Sequence, residues 1–114
     1  MPRLNLLVLR SHDPERLKTF YEGMGMAFDR HRHGAGPEHF GCKVGTVLLE
    51  IYPLKEENMS TAGTRIGFEV DDVVEMVTRL TAAGGMLISP PKNSPWGLRA
   101  VLADPDGHRI ELTT

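Results

Sequence analysis

The chain repeats itself once, and that repeat limits what it can fold into more than any other feature. Asp13 to Gly25 aligns with Asp72 to Gly84 at an offset of 59, matching Leu17 with Met76 and Tyr21 with Leu80. Near the end of each half stands the same tripeptide shape, Leu49-Glu50-Ile51 and Ile110-Glu111-Leu112. A unit near 60 residues is too long for a solenoid repeat, and two copies are too few. A duplicated βαβββ module fits instead. One helix cannot cover both faces of such a module's sheet, so modules must pair, within the chain or between chains. With 114 residues there is room for one domain and one core, residues 1–114, with modules at about 1–56 and 64–114.

Local signals place the elements. Leu4 to Arg10 is a short apolar run that reads as a buried strand. Asp13-Pro14-Glu15 opens a helix, with a capping carboxylate, a proline in the first turn and a second acid. Leu17, Phe20, Tyr21 and Met24 form its apolar stripe, and Gly23 and Gly25 end it. Strands are expected near 27–32, 39–44 and 46–54, followed by a polar linker over 55–63. Arg65 to Val70 alternates as a strand, Asp72 and Glu75 resemble a capping box, and Val73, Met76, Val77 and Leu80 form the second stripe. Strands near 86–89, 98–103 and 108–113 complete the second module. The last two join through Asp104-Pro105-Asp106-Gly107, where proline fixes φ and glycine supplies φ > 0.

Composition excludes several classes. A net charge of −2 with scattered basic residues makes no case for nucleic acid or an anionic membrane. No apolar run approaches the roughly 20 residues that span a bilayer, and Met1 to Arg10 lacks a cleavage pattern. One cysteine, Cys42, forbids an intrachain disulfide; a cytoplasmic protein is expected, with Cys42 a small core residue.

Three segments carry a family resemblance. Asp13 with Phe20-Tyr21 and Gly23-Met24-Gly25-Met26 looks like the first-helix signature of the glyoxalase/bleomycin-resistance/extradiol-dioxygenase (vicinal-oxygen-chelate) superfamily. Phe68-Glu69-Val70-Asp71-Asp72 resembles its mid-chain repeat, and Ala103 to Leu112 is similar to its C-terminal signature, the most specific of the three. The match covers essentially the whole chain. It implies an α/β (α+β) glyoxalase-like fold whose paired βαβββ modules form a cupped mixed sheet, a small molecule in the cup, and a homodimer. It does not fix the function, because the superfamily spans isomerases, dioxygenases, thiol transferases and metal-free binders.

The candidate site starts with Glu50 and Glu111, acids set between aliphatic residues on strands that should be largely buried. An unpaired carboxylate there costs several kcal/mol and needs a metal, an arginine or a proton. The resemblance makes both positions metal ligands; the alternative is a wet cavity face where each acid pairs with a nearby base. The family's other two ligands, usually histidines on the first strands, fall by counting at Leu6 and Arg65. A shift of one residue would bring in Asn5, a weak ligand for a transition metal. Two carboxylates alone make a poor zinc, nickel or iron site, so no cofactor is expected, with a divalent metal (zinc, nickel, manganese or iron) as the alternative.

Arg65 suggests a replacement, a guanidinium between two carboxylates, which either also grips a ligand oxygen or only fills the cup. His31, His33 and His39 crowd one region. His39 is the best-placed candidate general base, with a solvated rim histidine as its alternative. Trp96, in the Ser94-Pro95-Trp96-Gly97 loop, suits an apolar wall over a planar ligand or a lid packed on the core. Arg99 and Tyr52 could line the same cavity. The expectation is a small-molecule binder of the bleomycin-resistance kind, with no nucleic-acid or membrane partner. The alternative is a metal-dependent lyase or isomerase of the lactoylglutathione type, or a dioxygenase, using Glu50, Glu111 and His39.

Overall fold

A computed structural model describes residues 1–114. Two compact units divide the chain, Met1–Thr61 and Ala62–Thr114. In the first, β1 (Leu6–Ser11), α1 (Pro14–Glu22), β2 (Asp29–His31), β3 (His39–Val44) and β4 (Val47–Pro53) follow in order, then a 3₁₀ turn at Glu57–Met59. The second runs β5 (Arg65–Glu69), α2 (Val73–Ala82), β6 (Met86–Ser94), β7 (Gly97–Ala103) and β8 (Arg109–Thr113). Each unit is thus βαβββ. Their sheets share one topology, β1-β4-β3-β2 and β5-β8-β7-β6, in which the first and last strands pair in parallel and the others antiparallel.

The helix starts form as their sequences dictate. Asp13 accepts the backbone N–H of Arg16, and Asp72 that of Glu75, each satisfying a donor that the first turn leaves orphaned. Leu17, Phe20 and Tyr21 of α1 are buried, as are Leu9, Phe40, Cys42, Leu49 and Ile51 on its sheet. In the second unit Val73 and Leu80 of α2 are buried, with Ala100, Leu102, Ile110 and Leu112 below. Strand alternation then sends Glu50 and Glu111 to the face turned away from the helix. Cys42 is a core residue.

Two elements differ from expectation. β6 continues through Pro90-Pro91 to Ser94 instead of ending near Ser89, with register irregularities between Leu87 and Lys92. It is the edge strand of its sheet, where a missing proline N–H removes no ladder bond. What reads as a Trp96 loop is therefore the two-residue turn of a β6–β7 hairpin. Gly97 closes it at φ +94°, a conformation other residues rarely adopt. β2 is also shorter than expected, spanning only Asp29–His31. No helix is long and apolar enough to cross a membrane.

Candidate functional site

In the first unit the strand register builds a row across the face away from α1. His31 of β2 stands opposite His39 of β3, and Arg10 of β1 opposite Tyr52 of β4. The His39 and Tyr52 rings stack at 4.1 Å, 8° from parallel, and the Arg10 guanidinium lies 5.1 Å from the Tyr52 centroid on the far side of the row. His31 and His33 approach the His39 ring at 5.8 and 5.1 Å. His39 is only 2% exposed, so it is a buried histidine and the rim reading is corrected. The loop folds inward at Pro37, whose carbonyl takes a hydrogen bond from His39 Nδ1 at 3.3 Å.

That bond sets the chemistry. A carbonyl can only accept, so Nδ1 carries the hydrogen, and Nε2 is left facing Tyr52 Oη at 3.3 Å and Glu50 Oε2 at 3.4 Å. A neutral ring accepts from the tyrosine hydroxyl; a protonated ring donates to Glu50. The Glu50 side chain is 13% exposed, and His39 supplies its basic partner.

In the second unit Glu111 lies between two guanidiniums. Arg99 Nε donates to Oε1, and Arg65 Nη1 donates to Oε2 at 3.4 Å. The Arg99 hydrogen bond is the main reason that the Glu111 carboxyl titrates below its ordinary range; charge attraction to Arg99 and Arg65 adds to this, against a partial desolvation that works the other way. Within the second unit Arg65 serves Glu111, with Arg99 as the stronger partner. Glu111 also lines a shallow cavity of about 280 Å³ with Gly67, Thr113 and Trp96. Trp96 is 70% exposed, which removes the reading of a lid packed on the core. Its backbone N–H donates to Ser94 Oγ, which in turn donates to the Gly97 carbonyl, so the turn holding the indole is braced.

A divalent metal held by both modules is what the fold family implies, and the donors here do not fit one. The parallel register places Val8 beside Glu50 and Gly67 beside Glu111. Leu6 and Arg65, reached by counting, lie two residues earlier, opposite Leu48 and Arg109; Asn5 precedes β1, its carbonyl accepting the Leu48 N–H. Neither valine nor glycine offers a ligand atom, and two guanidiniums already hold Glu111. No group of three or more His, Cys, Asp or Glu side chains is arranged to hold a metal ion, the three histidines included.

Two features escaped sequence reasoning. Arg10 is one, since nothing local marks which residue of an apolar strand will pair with Tyr52. The other is the fully buried His108. Its Nδ1 lies 2.7 Å from Asp104 Oδ2, while Asp104 Oδ1 accepts the N–H groups of Asp106 and His108. This pair locks the β7–β8 turn, and its signal was the Asp-Pro-Asp-Gly-His run itself.

The glyoxalase/bleomycin resistance protein/dioxygenase superfamily model matches residues 3–112. The chain belongs to this family. Among solved structures, a glyoxalase-related enzyme from Fulvimarina pelagi is 28% identical, with a TM-score of 0.80 over 99% of this chain and 88% of that one. TnmS3, an antibiotic-binding protein from Streptomyces sp. CB03234, is 27% identical, with a TM-score of 0.78 over 99% and 95%. The hypothetical protein SA1046 from S. aureus is 20% identical with a TM-score of 0.83 over 100% and 94%, and shows the fold alone. No protein of curated function matches the sequence significantly.

Proposed function

We propose that this chain is a metal-independent small-molecule binder that takes a planar, neutral or anionic ligand at the Trp96–Glu111 cavity. One observation carries the reading: Glu111, at a position where family metal centres need a free carboxylate, is held by both Arg65 and Arg99. The trio carries a net positive charge, which disfavours a cation and suits a ligand carboxylate, phenolate or carbonyl oxygen. The exposed indole of Trp96, fixed by its turn at the same cavity, offers a flat apolar surface for stacking. The similarity to TnmS3, an antibiotic-binding protein, supports an antibiotic-like small molecule as the ligand class. Exposed Met86, Leu87 and Ile88 on the edge strand β6 support the expected homodimer, which sedimentation would test.

The test is titration of Trp96 fluorescence with planar aromatic antibiotics that are anionic, neutral or cationic, alongside elemental analysis of the purified protein. Quenching by a neutral or anionic compound at micromolar concentration, lost in Arg65→Gln and Arg99→Gln, supports the proposal. Near-stoichiometric zinc, nickel, manganese or iron that vanishes in the Glu50→Gln, Glu111→Gln double variant would overturn it. The metal-dependent lyase, isomerase or dioxygenase reading would then lead.

A further inference from the structure

A second cavity, of about 310 Å³, lies wholly within the first unit and is lined by Arg10, Pro37, Pro53, Lys55, Glu56 and Met59. Its volume falls at the lower end of the roughly 300–1,000 Å³ typical of ligand pockets. Two of the lining residues are cations and one is an acid, and the rest are apolar.

Arg10 is the unusual member. It is half-buried, its backbone N–H is tied to Thr61 Oγ1 at 2.9 Å, and its guanidinium lies over the Tyr52 ring. Stacking uses the flat face of a guanidinium and leaves its rim of N–H donors pointing outward in the plane. No carboxylate takes them: neither Arg10 nor Lys55 has an ion-pair partner, while nearby Glu57 is paired with His12 at 2.7 Å. The contact with the Tyr52 ring offsets part of the entropy of holding the guanidinium in place and leaves its fork of donors to take an anion. Tyr52 is itself fixed by its stack on His39, so the guanidinium is positioned before any ligand arrives.

We propose that this cavity is a carboxylate-binding site, taking a small molecule with one carboxylate on an apolar body. The Arg10 fork receives the carboxylate through two parallel N–H···O bonds, with Lys55 as the second cation. Pro37, Pro53 and Met59 pack on the apolar part. Arg10 and Lys55 against Glu56 leave one net positive charge, which matches a monoanion better than a phosphate dianion. This site is separate from the Trp96–Glu111 cavity and shares none of its lining residues.

The experiment is an NMR titration of the full chain with 2-naphthoate, following the Arg10 Nε–H and the Met59 methyl signals. Neutral 2-naphthalenemethanol and 2-naphthyl phosphate serve as comparison probes. The expected result is saturable shifts at Arg10 and Met59 with 2-naphthoate, at least about tenfold weaker with the alcohol, as loss of a charge-assisted bond predicts. Read at the Met59 methyl, Arg10→Gln weakens 2-naphthoate binding by a similar factor and Lys55→Gln by less. Lys55 is exposed beyond the end of β4, so its variant reports on binding even if Arg10→Gln disturbs the strand. Equal shifts with the alcohol would overturn the proposal, as would tighter binding of the phosphate. So would shifts confined to Trp96 and Glu111, an outcome that leaves the binding function proposed above standing.

Discussion

Replacing Arg99 with glutamine tests whether Glu111 is held by charge or merely by packing. Arg99 and Glu111 side chains are 28% and 24% exposed, so their hydrogen bond lies between two regimes. Buried charge-assisted bonds contribute about 1.5–3 kcal/mol, while fully exposed pairs give about 0.2–1. Solvent screening and the remaining Arg65 contact favour the lower part of that span. A double-mutant cycle of Arg99→Gln and Glu111→Gln is therefore expected to yield a coupling of about 1 kcal/mol at pH 7. For a chain of this size a free-energy difference of about 1 kcal/mol corresponds to about 4 °C in Tm.

The dependence on pH follows from the direction of the shift. Glu111 titrates below its ordinary value of 4.5, so its contribution is fully present above that pH and is lost as pH falls through the lower, folded value. Thermal unfolding followed by circular dichroism at pH 7 and at pH 3 should show the coupling shrinking towards zero at the acidic end. An unchanged coupling at pH 3 would mean that shape, not charge, links the two residues. No coupling at pH 7 would refute the ion pair.

Three further outcomes are expected. Trp96→Ala should abolish quenching and weaken binding of the stacked ligand about tenfold or more, yet shift stability by less than about 0.5 kcal/mol, because the indole is 70% exposed; binding isotherms by calorimetry check the first and denaturant melts the second. His39→Ala should destabilise the fold by about 2–4 kcal/mol in urea unfolding, since it empties a buried ring site and strips Glu50 of its partner; His39→Gln, which can still donate, should cost less. Gly97→Ala should cost more than about 1 kcal/mol, because φ is +94° and the new Cβ would come 2.5 Å from Thr114 Oγ1. A Tm equal to wild type would show that the hairpin turn relaxes freely.

The helices and most strands were legible because their signals are local. An acid cap, a stripe at 3.6-residue spacing and a terminal glycine lie within a dozen residues of one another, and Asp13 and Asp72 cap as expected. Glu50 and Glu111 were legible because strand alternation alone puts them opposite Leu49, Ile51, Ile110 and Leu112. The residues beside them were not. β1 pairs with β4 across some forty intervening residues, and counting from a helix cap cannot fix a register made that far away. Counting back from the helix caps reaches Leu6 and Arg65, with Asn5 one residue further, whereas the residues paired with the acids are Val8 and Gly67. The burial of His39 was hidden for a related reason. A Gly-rich polar loop reads as solvated, and only the tertiary fold shows Pro37 turned inward to cap the ring.

The register also shows how the duplication treats its acids. Glu50 and Glu111 occupy matching places, Glu50 beside Val8 and Gly41, Glu111 beside Gly67 and Val101. Stepping two residues back along the neighbouring antiparallel strand reaches His39 in the first unit and Arg99 in the second. These are equivalent positions, and each delivers the base that satisfies its acid. The two modules thus meet the same physical demand, a carboxylate on a half-buried strand, from the same place in the fold and with different chemistry. A histidine ring can both accept and donate, so Glu50 faces a partner with two hydrogen-bonding roles. A guanidinium only donates and stays charged, so the Glu111 side keeps a fixed positive field. Each acid is thus satisfied within its own unit, and neither carboxylate can take another partner without giving up the base that the neighbouring strand delivers.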